Sequence, residues 1–108
     1  MPDTRIVLTT VSNSDDARKI AHTLVEQRLA ACVNIVPQVE SVYRWQGKVE
    51  TAGELLLVIK TTAACFPALR EALLKAHSYS VPECVMLSVE DGSRDYLAWV
   101  SQSTGPES

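Results

Sequence analysis

Glycine occurs only four times in 108 residues, and no P-loop can be read anywhere along the chain. The loop after the first strand pattern, Thr9-Thr10-Val11-Ser12-Asn13, holds neither glycine nor arginine. That excludes the phosphate cradle of an acylphosphatase-like enzyme. The three cysteines, Cys32, Cys65 and Cys84, form no CxxC pair, which excludes the usual motif of a heavy-metal chaperone. Their odd count and wide spacing fit a reducing compartment better than a disulfide framework. Basic charge is short as well. A net charge of -3 provides no field to draw in nucleic acid or an anionic membrane surface. The longest aliphatic run, Leu55 to Ile59, is far too short to span a bilayer. Being free of aromatics, it also offers no platform for stacking RNA bases. Met1-Pro2-Asp3-Thr4 has no basic stretch before an apolar run, so no signal peptide is read and the cytoplasm is expected. No nucleophile and base are paired in sequence, and a non-enzyme is expected.

What is present is strongly patterned. A hydrophobic share of 46% and a charged share of 21% suit one soluble domain over residues 1–108 with a core of its own. Arg5 to Val11 is β-branched and apolar, as a buried central strand is. Ser12 to Asp16 supplies capping and acidic residues for a helix start. Ala17, Ile20, Ala21, Leu24 and Val25 then recur at helical spacing to about Leu29. A second helix is marked by Phe66, Leu69, Leu73 and Ala76, with Pro67 tolerable in its first turn. Val85, Leu87 and Val89 alternate with Cys84, Met86 and Ser88 as a last strand. Asp91-Gly92-Ser93 leads into a short final helix through Tyr96, Leu97, Trp99 and Val100. Tyr96 and Trp99 are expected to seal a core edge, and residues 101–108 to fray.

Between the first two helices lies a hairpin too long for the domain that carries it. Ala31 to Trp45 reads as one extended arm, Gln46-Gly47 as the turn, and Lys48 to Thr61 as the return. The first arm spans about 50 Å at strand rise, whereas the preceding helix covers about 24 Å. The order β-α-β-β-α-β with one appended helix is an α+β, ferredoxin-like arrangement, in which the second strand lies at an edge. Pro37 agrees, because proline is confined to edges, strand starts and bulges. Val33 and Ile35 share one parity while Val36 and Val42 share the other, so a bulge or bend is expected there. An edge this long and apolar invites aggregation unless covered. A closed homo-oligomer pairing through the hairpins is the expected cover.

Several segments in this order resemble the CutA family of divalent-cation-tolerance proteins. They are Leu29-Ala-Ala-Cys-Val-Asn-Ile-Val-Pro37, Val42-Tyr-Arg-Trp-Gln-Gly-Lys-Val-Glu50, and Glu54 through Ile59-Lys-Thr-Thr62. His77-Ser-Tyr79 with Val81-Pro-Glu83, and Asp95-Tyr-Leu-Ala-Trp-Val100, complete the set. The resemblance implies a ferredoxin-like subunit, a homotrimer joined by the long hairpins, a cytoplasmic location, and a link to tolerance of copper and other divalent metals. The trimer is similar to that of the PII signalling proteins.

Copper or another divalent metal needs thiolate or imidazole ligands converging from different elements. Cys32, at the foot of the long arm, and His77, at the end of the second helix, are the candidates. His22 reads as a surface residue, Cys65 as packing, and Cys84 as facing a helix, solvent or a subunit boundary. Some family members ligate metal through a first-strand cysteine and adjacent histidines. Here those positions fall on Thr9 and on Ala76-His77, so one histidine remains. A second constellation is polar: Tyr43, Trp45, Glu50, Glu54, Lys60, Tyr79 and Glu83, with His77 beside it. These residues suit a small-ligand cleft between subunits, or an interface network in which Lys60 pairs with Glu50, Glu54 or Glu83. As a PII-like module, the trimer would take a small anionic ligand at such clefts.

Overall fold

The computed structural model describes residues 3–106. Along the chain run β1 (Thr4–Val11), α1 (Ser14–Glu26), β2 (Cys32–Trp45), β3 (Lys48–Thr62), α2 (Phe66–Ala76), β4 (Val85–Ser88) and α3 (Arg94–Gln102). The strands form one antiparallel sheet ordered β2-β3-β1-β4. This is the expected α+β, ferredoxin-like arrangement, with β2 at an edge and α3 appended.

Strand alternation divides the sheet into two unlike faces. Val7 and Val11 of β1, with Leu57 and Ile59 of β3, are buried against Ala17, Ile20 and Leu24 of α1 and Leu69 and Leu73 of α2. Their neighbours of opposite parity, Ile6, Leu8, Leu56 and Val58, are half-buried and lie outside that core. The second face is therefore apolar, yet neither α1 nor α2 covers it.

The hairpin outruns everything else. β1 accompanies β3 only from Thr62 to Leu55. From Val39↔Glu54 to Trp45↔Lys48, β2 and β3 pair with each other alone. The result is an elongated subunit of 47 × 25 × 22 Å. Gln46 and Gly47 turn the arm with φ of 51° and 80°, as a two-residue type I′ turn requires. The register breaks between Val36 and Val39, where Gln38 takes φ 63°. This bulge resolves the parity slip around Pro37. Val33 and Ile35 pair with Ile59 and Leu57, and Val42 pairs with Thr51, so all three stay on one side. Tyr43, Trp45 and Ser41 are turned to the side that carries Glu54, Leu56 and Val58.

Three expectations are corrected. α1 stops at Glu26 rather than near Leu29, because Arg28 adopts φ 59° and the Leu29 N–H donates back to the Leu24 carbonyl at 2.9 Å. The tail is tied down as far as it is described. Arg28 Nε donates to the Gly105 carbonyl at 2.6 Å and its Nη2 to that of Gln102 at 2.8 Å. The Gly105 N–H returns a bond to the Arg28 carbonyl at 2.8 Å, and Thr104 is buried. Residues 107 and 108 of the expected frayed segment lie outside the described residues. Finally, Tyr96 and Trp99 do not seal the core. Each is 43% exposed while Val100 is fully buried. The two rings lie against each other, 5.6 Å between centroids, because the inward stripe of this short helix runs through Val100.

Candidate functional site

The site forms where the lone arm leaves the body of the subunit. His77 follows α2 and turns the chain back over the end of β1. Its Nε2 donates to the Thr10 carbonyl at 2.8 Å, and its Nδ1 accepts the Tyr79 N–H at 3.1 Å. In the neutral ring those bonds place the proton on Nε2, and they leave neither ring nitrogen free. The imidazole also packs on the Tyr79 ring, 4.6 Å between centroids. Tyr79 is thereby aimed across the sheet end, where its hydroxyl donates to Glu54 Oε2 at 2.5 Å.

Glu54 is the electrostatic centre of this arrangement. Burial pushes its carboxyl up, but hydrogen bonds from the Ser41, Tyr79 and Thr10 hydroxyls, with a smaller effect of His77, outweigh it and hold it below its ordinary value. Tyr79 moves the other way. Burial, its bond to Glu54 and the Glu54 charge hold the phenol well above its ordinary value. At neutral pH the pair is thus an ionised acceptor and a neutral donor.

Around this pair opens a cleft of about 600 Å³, lined by Tyr43, Trp45, Glu54, Tyr79 and Glu83, with Thr10 and Ser41 at its base. Five of the seven residues of the polar constellation therefore come together. Glu50 does not line the cleft. It lies on the exposed arm across from Tyr43. Lys60 is six residues along β3 from Glu54, about 20 Å away. It pairs with Cys32 in the strand ladder and donates to Asn34 Oδ1, so within a subunit it joins none of the three glutamates. Thr10 and Ser41 were not legible as site residues. Their place follows from strand register and from the bulge, and no motif marks either one.

The metal candidates stay apart. Cys32 stands opposite Lys60, whereas His77 is bonded to Thr10, which pairs with Leu56. Four residues of β3, about 13 Å, separate those two levels. Thr9, at the first-strand ligand position of the resemblance, is fully buried in the helix-facing core, its hydroxyl without a partner. Among the described residues no group of three or more His, Cys, Asp or Glu is placed to hold an ion. All three cysteines are free thiols. Cys84 packs against the core, where burial, with Glu83 adding to it, pushes its thiol up. His22 is exposed, as expected, while Cys65 stands half-buried at the N-cap position of α2 without a side-chain capping bond. No helix among the described residues is long and apolar enough to cross a membrane.

Comparison with known proteins gives concordant findings. The family model of the CutA1 divalent ion tolerance protein matches residues 5–103. The chain is similar to the divalent-cation tolerance protein CutA of Thermus thermophilus, 53% identical over 100 residues, covering 93% of this chain and 97% of that protein. It is similar to the chloroplastic protein CutA of Arabidopsis thaliana, 46% identical over 99 residues, and spans about half of that relative's length, 54%. The solved structure of the Thermus thermophilus divalent cation tolerance protein superposes with a TM-score of 0.92 at 52% identity, covering 94% of this chain and 99% of that one.

Proposed function

Because this chain belongs to the CutA1 divalent ion tolerance protein family, we propose that it acts in the response to divalent metal ions as a closed homotrimer joined through its hairpins. One observation carries the assembly: a sheet face of Ile6, Leu8, Leu56 and Val58 that neither α1 nor α2 covers and that stays half-buried although α3 meets β1 and β3. It is extended by Val36, Val85 and Leu87, each at least 40% exposed. Burying such a face releases about 25 cal/mol for every Å² of apolar surface removed from water. Both sheet edges, β2 and β4, also keep unpaired backbone groups that invite a neighbouring chain. The number three comes from the family resemblance. The role is non-catalytic, and three free cysteines suit a location in the reducing cytoplasm.

Copper or another divalent ion would be held between subunits. Cys32 is the available soft ligand, and His77 contributes only by giving up its bond to Thr10 or to the Tyr79 amide. Calorimetric titration of the metal-free trimer with copper tests this. Saturable uptake, lost in Cys32→Ser, is expected. Uptake unchanged in both Cys32→Ser and His77→Ala would contradict the shared site. Tolerance itself is read by growth at rising copper of a strain lacking the protein. Restoration by the plasmid-borne chain supports the role, and unchanged growth contradicts it.

The cleft supports a second reading, a PII-like signalling module whose small ligand sits beside the arm. Its lining includes Glu54 and Glu83 and, among the described residues, no lysine or arginine. That charge does not suit the anionic ligand expected from sequence, because an anion there would be repelled by both carboxylates.

A further inference from the structure

We propose that the cleft beside the arm takes a small organic cation, an alkylammonium or guanidinium compound. The inference rests on the reading of the cleft as a ligand site and specifies the chemistry of its occupant. One of the two tryptophans and two of the three tyrosines line this single cleft. Trp45 and Tyr43 come from one face of the arm, and Tyr79 comes from the loop after α2. Aromatic faces carry negative quadrupoles that attract a cation lying over them, tryptophan most strongly. Glu54 and Glu83 add full negative charge to the same wall.

The geometry is held in advance. The bulge at Pro37-Gln38 turns Tyr43 and Trp45 to the side that carries Glu54. The bonds of His77 to Thr10 and Tyr79, and of Tyr79 to Glu54, set the opposite wall. Glu54 stays ionised at neutral pH because its hydroxyl donors favour the carboxylate. A volume of about 600 Å³ accommodates a ligand with an apolar body as well as a charged head. A bare divalent ion fits less well. Among the described residues, two carboxylates and no thiolate or imidazole line the cleft, and Glu54 already accepts hydroxyl donors.

Choline and its neutral isostere 3,3-dimethylbutan-1-ol separate charge from shape. Both are titrated into the full chain carrying Trp99→Phe, so that Trp45 is the sole indole, with the oligomeric state checked by sedimentation. Choline is expected to perturb Trp45 fluorescence saturably and to bind at least about tenfold more tightly than the alcohol. Glu83→Gln, a change at the exposed rim, is expected to weaken choline several-fold and leave the alcohol unaffected. Equal binding of the two probes would overturn the inference while keeping an apolar ligand site. Binding of adenosine triphosphate instead of choline would overturn the charge class alone. Binding of none of the three would overturn the cleft reading together with the inference.

Discussion

At the scale of single residues, the interaction that defines the site is one hydrogen bond, from the Tyr79 hydroxyl to Glu54. Its pH dependence follows from the opposed shifts of the two groups. Glu54 lies below its ordinary value when folded, so its contribution to stability is complete above the unfolded carboxylate pKa, about 4.3. That contribution fades as pH falls through the lower folded value. Tyr79 lies above its ordinary value. Its contribution is complete below about 10 and is lost as pH rises through the higher folded value. A bond to a charged acceptor, discounted for partial exposure, predicts that Tyr79→Phe costs about 1 kcal/mol at neutral pH. Denaturant unfolding at a series of pH values should show this difference shrinking below pH of about 4. A cost independent of pH would mean that Tyr79 matters by packing alone. Both partners were named from sequence as cleft residues, but the bond between them was not foreseen. The contact joins positions 25 apart, and only the tertiary path of the loop after α2 brings them together.

At the scale of elements, the hairpin was readable almost residue by residue, because its signals are local. Gln46-Gly47 marks the turn, Pro37 marks the edge, and the parity change around it marks the bulge. The consequence of the bulge was harder to foresee. It keeps Val42 level with Val33 and Ile35 while sending Tyr43 and Trp45 to the Glu54 side. Deleting Gln38 should therefore exchange the two faces of the outer arm. The expected outcome is loss of Trp45 from the cleft, read as a red-shifted emission in a Trp99→Phe background, together with weakened self-association. Gln38→Gly should be neutral or stabilising by roughly 0.5 kcal/mol, since Gln38 already holds a positive φ. Unchanged emission after the deletion would show that the bulge does not set the arm's face. The end of α1 and the tail escaped sequence reading for a related reason. Arg28 in a left-handed conformation and its bonds to Gln102 and Gly105 link segments more than seventy residues apart. Nothing in the composition of 101–108 announces that link.

At the scale of the whole molecule, an elongated subunit carries an apolar sheet face that α1 and α2 leave bare and α3 meets only in part, and a two-stranded arm with exposed Val42 and Val49. The mismatch between arm and helix lengths was legible from strand and helix rise alone. The exposure of Tyr96 and Trp99 was not, because helical spacing shows which residues share a face and leaves open what that face meets. In a closed trimer these surfaces have somewhere to go. A lone subunit would expose them all and leave both sheet edges unpaired. Sedimentation equilibrium of the purified protein at micromolar concentration is the most direct measurement. A single species at three times the chain mass is expected, and a well-folded monomer would contradict assembly through the arms.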